Sequence, residues 1–344
     1  MAITISGTGI TSSQIEADGI DGTKIADNSI GIEHLEDDTV GVAELSATGT
    51  ASSSTYLRGD NSWAAAGGAT SIDGLSDAIA TSGDGGASIG LGTDAVGNTQ
   101  NYKFNIGLGY RALRNVTSGT NNVGIGNEPL KTLTTGSKNI GIGYSLGKLT
   151  TASVNVGIGY GTLKEATTGY DNVAIGLDTL DALTTGYDNI AIGGYTASSM
   201  TTAQHNTAVG SGAMFACTTG IQNTAIGRLA MYSNTTANYN TAIGASALQA
   251  NTTGTNNVAI GRQTMDANTT ASNNTAVGYS ALGANTTGNE NVAVGTNSLL
   301  ANTTASNNTA IGFGSARANT TGSDNTALGK VALAANTTGG SNTA

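Results

Sequence analysis

The chain has 344 residues and a formal net charge of −10, yet only 10% of its residues are charged and 4% aromatic. A globular enzyme usually carries about 25% charged residues, and nucleic-acid backbones or anionic membranes call for basic patches that this balance does not supply. Fifty-one glycines beside a single Cys, Pro and Trp point instead to a repetitive chain.

The first residues, MAITISGTGITSS, lack the basic and apolar regions of a signal peptide. No run of about 18 apolar residues follows to span a membrane. The expectation is a protein assembled inside a cell and released by lysis. Ile15, Ile20, Ile25, Ile30, Leu35, Val40 and Leu45 then fall five apart. That spacing matches neither the helical nor the strand period. Nine acidic residues against Lys24 lie between Glu16 and Glu44. One apolar residue per pentad is too little to fold a monomer, whereas three chains would bring these residues onto a common axis. Disorder is the competing reading. Residues 1–50 are therefore read as a fibre segment. Residues 51–87, rich in Ala, Ser and Gly, are read as a linker or collar in which Tyr56, Leu57 and Trp63 form a local apolar cluster.

From Ser88 to the end, residues 88–344 repeat the motif N-[TVI]-[AG]-[IVL]-G. Fifteen complete copies start at Ser88, Asn105, Asn122, Asn139, Asn155 and onward to Asn325, and a sixteenth begins at Asn342. Every interval is 17 residues except Asn139 to Asn155, where one is missing just after Tyr144. Position 1 is Asn (Asn172, Asn240, Asn257), position 4 an aliphatic such as Ile243, and position 5 Gly (Gly176, Gly244, Gly261). The alternation over positions 2 to 4 predicts a short strand with positions 2 and 4 in a core. An invariant Gly suggests φ > 0 or a close backbone approach. Leu248 stands at position 9, predicted as a second inward anchor on a return strand, and a Thr-Thr pair at positions 13 and 14 predicts the second turn. The fold class is thus all-β, a parallel β-solenoid of 17-residue coils. Stacked coils would place position-1 Asn side chains in a ladder. Position 12 runs from Val116 to Cys217 as an apolar column, then becomes Asn from Asn234 onward, including Asn251.

Residues 52–64, SSSTYLRGDNSWA, resemble a segment common in bacteriophage tail fibre proteins. The array, for example NTAIGASALQANTTGTNNVAIG from Asn240, is similar to repeats of phage and bacterial fibres. More distantly it resembles the head repeat of trimeric autotransporter adhesins, a β-roll with three chains packed together. The resemblance implies a homotrimeric fibre on a virion. Its N-terminal segment would contact other tail proteins, and its surface would meet a host polysaccharide or protein.

Chemistry is sparse. His34 and His205 lie in unrelated segments, which argues against a nucleophilic triad or a metal site, and no catalytic, cofactor or metal residue is expected. Gly107-Leu108-Gly109 belongs to the repeat and lacks the helix a nucleotide loop needs. Arg58-Gly59-Asp60 is a coincidence within the fibre-like stretch. The leading function is a structural, non-enzymatic fibre of a phage tail. The alternatives are a bacterial surface adhesin, an ice-binding solenoid, disfavoured by the Thr pair at a turn, and a polysaccharide depolymerase, disfavoured by scarce charged and aromatic residues.

Overall fold

A computed structural model describes residues 55–57, 63–65, 78–83, 86–96 and 104–344. The pentad segment lies outside these residues, as do the side chains of Tyr56, Leu57 and Trp63. Contacts divide the chain into two units, Met1–Thr70 and Ser71–Ala344. In the first, β1 (Thr55–Leu57) pairs antiparallel with β2 (Trp63–Ala65).

The second unit is an all-β solenoid. Its sheet begins with an antiparallel hairpin of β3 (Ala78–Gly83) and β4 (Gly86–Leu91), so β3 lies within the stretch read as linker. Fourteen strands follow, one per coil, from β5 (Ile106–Leu108) to β18 (Thr326–Leu328). Each pairs in parallel with the next in sequence order. Pairing is in register. Thr241, Ala242 and Ile243 of β13 (Thr241–Ile243) face Val258, Ala259 and Ile260 of β14 (Val258–Ile260). Every repeat position therefore stacks on itself at the inter-strand spacing of about 4.8 Å, which makes the coil stack on the order of 70 Å long. In the shortened coil, β7 (Ile140–Tyr144) and β8 (Val156–Tyr160) extend through position 6, where Tyr144 pairs with Tyr160.

The strand faces the opposite way to the sequence expectation. The small residue at position 3 points inward: Ala242, Ala259 and Ala276 are wholly buried. Positions 2 and 4 point outward, and Ile243, expected in the core, is 36% exposed. The reason is volume. Where position 3 is Gly, an added Cβ would lie 3.2 Å from Leu113 Cγ at Gly124 and 3.1 Å from Leu146 Cγ at Gly157. A methyl group is the most that fits against the position-9 side chain, and an isoleucine would displace it. Because the strand period is two, a phase error of one residue exchanges the faces completely.

The expected return strand is absent as well. Leu248 is buried, but its φ is +52° and that of Ser246 is +57°, so the segment is a run of turns. Left-handed backbone costs a non-glycine residue roughly 1–2 kcal/mol. Burial of the leucine side chain, worth about 1.5–3 kcal/mol, offsets it. The turn's amides remain satisfied by neighbouring coils: Ser246 N–H donates to Arg228 O at 2.9 Å and Leu248 N–H to Thr264 O at 2.9 Å.

Candidate functional surface

Three features of the solenoid bear on function: its internal amide ladders, its outward sheet face, and an aromatic and acidic stretch in the middle coils.

Asn172, Asn240 and Asn257 are buried members of one continuous column. Asn257 donates from its backbone N–H to Asn240 Oδ1 at 2.9 Å and from Nδ2 to the same oxygen at 3.1 Å. Its Nδ2 also donates to Ala271 O at 2.8 Å. Its own Oδ1 accepts from the backbone and side chain of Asn274 at 3.1 and 3.3 Å. Asn172 repeats the pattern with Asn155 Oδ1 and Gly186 O. Both Nδ2 hydrogens and both Oδ1 lone pairs are used, so the column tolerates full burial.

Asn251 heads a second such relation. Its Nδ2 donates to Asn234 Oδ1 at 3.2 Å and to Gly254 O at 3.0 Å. Gly254 O also accepts Asn240 Nδ2 at 2.8 Å, so the two columns meet on one carbonyl. In earlier coils the same place holds Leu183, Met200 or Cys217. Cys217 marks the junction, with Asn234 Nδ2 at 3.9 Å from Sγ. Burial pushes its thiol up to about 11 from the ordinary value of 9.0. The native state thus prefers the neutral thiol. Stability is fully present below about pH 9 and falls as pH rises through the folded value. We expect alkylation of Cys217 to be negligible at pH 8 in the folded protein and to appear on denaturation, as followed by mass spectrometry.

The position-5 glycines Gly176, Gly244 and Gly261 have φ of +139°, +137° and +134°. At Gly244 an added Cβ would lie 2.4 Å from Gly261 O. The turn therefore requires glycine on both conformational and steric grounds.

The outward sheet face is the largest uniform surface. Positions 2 and 4 of all coils from β5 to β18 hold only Ile, Val, Leu and Thr, without one charged residue. Ile106, Ile190, Ile226, Ile260 and Ile311 are all exposed on it. Sequence reasoning placed these residues inside the coil. The signal that could have corrected it is the Thr at position 2 in Thr207, Thr224, Thr241, Thr275, Thr309 and Thr326, beside a position 3 that is never polar.

Comparison with protein-family models, with curated proteins and with solved structures finds no match to this chain. Its own geometry carries the functional reading.

Charge is segregated along the coils. Arg111, Arg114, Lys131, Lys138, Lys148 and Lys164 lie in the first four coils, and no Lys or Arg occurs between Lys164 and Arg228. Glu128 accepts from Lys131 and Arg111, with the Lys131 hydrogen bond foremost in holding its carboxyl below the usual range. The following stretch holds Asp171, Asp178, Asp181 and Asp188. Burial raises the Asp181 carboxyl, with Asp178 adding to the effect. His205 Nδ1 lies 3.5 Å from Asp188 Oδ2 and edge-on to the Tyr187 ring. Among the described residues no group of three or more His, Cys, Asp or Glu converges as a metal site.

Proposed function

We propose that the chain is a structural, non-catalytic fibre of a phage tail. Three copies would join along their sheet faces, and the outer coils would present a host-binding surface. The observation that carries this reading is the uncharged aliphatic face of β5 to β18. A row of exposed Ile and Val on a flat parallel sheet is an aggregation hazard unless something covers it. A second copy of the same face is chemically matched to it, since neither carries charge. At about 3.3 Å per residue the three-residue strands give a face roughly 10 Å wide. Over the length of the rod this is roughly 700 Å², close to the ~800 Å² per partner of a stable interface. Three copies are supported by the pentad segment, which needs several chains to bury its apolar residues, and by the resemblance to trimeric fibres. In this reading residues 1–50 form the virion-proximal end and contact other tail proteins.

Sedimentation equilibrium on the full chain is the test. A mass three times that of the 33.9 kDa chain is expected, and a stable monomer would overturn the fibre reading.

A second reading has one observation in its favour. Thr207, Thr224 and Thr241 stand outward at one-coil spacing beside Val209, Ile226 and Ile243, a flat Thr-and-aliphatic array of the kind that orders water. Thermal hysteresis by a monomeric protein would favour ice binding over the fibre. A trimer without hysteresis would dismiss it.

A further inference from the structure

Position 16 obeys a structural rule through most of the solenoid. A short polar side chain there accepts the backbone N–H of position 16 in the preceding coil. Thr120 N–H donates to Ser137 Oγ at 3.0 Å and Ser137 N–H to Ser153 Oγ at 3.0 Å. Ile221 N–H donates to Asn238 Oδ1 at 2.7 Å, Thr255 N–H to Ser272 Oγ at 3.0 Å, and Ser272 N–H to Asn289 Oδ1 at 2.7 Å. Four consecutive coils depart from it, with Tyr170, Tyr187, Gln204 and Ile221 at this position. In the first two of these coils a pair of tyrosines takes the place of the polar side chain.

The two rings stack with centroids 4.8 Å apart and planes within 4°. Such a parallel pair is a favourable aromatic contact at the one-coil spacing. His205 closes the far side of Tyr187, edge-on at 5.2 Å. Tyr170 itself is 43% exposed. The next place in the column is Ser153, whose hydroxyl is committed to Ser137 below, and beside it stands the exposed Val154. A serine is much smaller than a tyrosine, so no protein ring continues the stack past Tyr170. Asp171 and Asp188 flank the rings and are exposed.

We propose that Tyr170 and Tyr187, with Asp171, Asp188 and His205, form a saccharide-binding shelf that takes a neutral or amino-substituted pyranose. The polarised C–H face of the sugar stacks on the electron-rich face of Tyr170. Its hydroxyls donate to Asp171 and Asp188. An ammonium substituent gains further from the ring faces and the carboxylates. An anionic sugar is repelled, because this stretch holds four aspartates and no Lys or Arg. The shelf does not rest on the fibre reading. A monomer that binds saccharide overturns the fibre and leaves the shelf standing.

The test is isothermal titration calorimetry of the full chain with hexamers of N-acetylglucosamine, glucosamine and galacturonic acid. Tyr170→Ser is the decisive variant, because it restores the side chain the array uses elsewhere at this position and keeps the coil intact. The N-acetylglucosamine or glucosamine hexamer is expected to bind, and the galacturonic acid hexamer to give no heat. Tyr170→Ser should weaken binding about tenfold, whereas Tyr170→Trp and the distant Tyr279→Ser should leave it unchanged. Absence of binding by both the neutral and the amino hexamer, equal binding by Tyr170→Ser, or tightest binding of the anionic hexamer would each overturn the shelf.

Discussion

Asn257→Asp is expected to destabilise the solenoid by roughly 4 kcal/mol or more and to divide its melting into two steps. The wild-type amide donates to Asn240 Oδ1 and Ala271 O. A carboxylate would turn its oxygens toward both of those acceptors with no hydrogen to offer. Each orphaned buried group costs about 1–3 kcal/mol, and a buried unpaired charge costs more. In a stack where each coil contacts only its neighbours, the loss falls on one interface. The coils on either side then unfold as separate cooperative units. Differential scanning calorimetry should resolve two transitions, and amide exchange should accelerate first at Asn274 and Thr275. Asn256→Asp makes the same chemical change one residue away, on an exposed left-handed position at φ +57°, matched by Asn273 at φ +62° in the next coil. It is expected to leave melting unchanged. A single unshifted transition in Asn257→Asp would show that the column contributes little.

Gly244→Ala is the second large effect. The backbone φ of +137° is one that side-chain-bearing residues rarely adopt, and the new Cβ would lie 2.4 Å from Gly261 O. The neighbouring atom is backbone held in the next coil, so no side chain can move aside. A cost above about 3 kcal/mol follows from strain of this kind. Gly314→Asn provides the contrast. Its φ is +61°, the nearest atom to an added Cβ is Val331 Cγ1 at 3.5 Å, and the equivalent place in the preceding coil is already Asn297 at φ +59°. That variant should be neutral or slightly stabilising, since it restricts the unfolded chain without straining the fold. Thermal denaturation of the two variants side by side measures the difference. Equal melting temperatures would contradict the assignment of distinct backbone roles to the two glycines.

The repeat length, the parallel stacking and the single-residue deletion after Tyr144 were all legible, because a strict period constrains register before any coordinate is known. Which face of the strand lies inside was not. Ile243 and Ala242 satisfy an alternating pattern equally well, and hydrophobicity favours the wrong one. Only the cross-section of the coil, filled by Leu248 and its equivalents, decides that a methyl group belongs inside. The turn run at positions 7 and 9 was hidden for a different reason. Leucine carries no signal for left-handed backbone, so Leu248 reads as an ordinary strand anchor. The Asn and Asp at position 17, as in Asp171 and Asn256, do carry that signal, and they mark the one such turn that composition alone could have located. The Tyr170 and Tyr187 shelf was illegible because the rule it breaks is a hydrogen-bond pattern between coils, seen only once they are stacked.

Positions 2 and 4 point outward, and the proposed fibre would cover them with other copies. The most direct measurement is the mass and amide protection of the Ile243→Lys, Ile260→Lys double variant. Two lysines on the outer face should reduce the assembly to monomer while the coil keeps its β signal and the exchange protection of Ala242 and Asn257. Collapse of the β signal and of that protection, with the isoleucines acting as core residues, would contradict it.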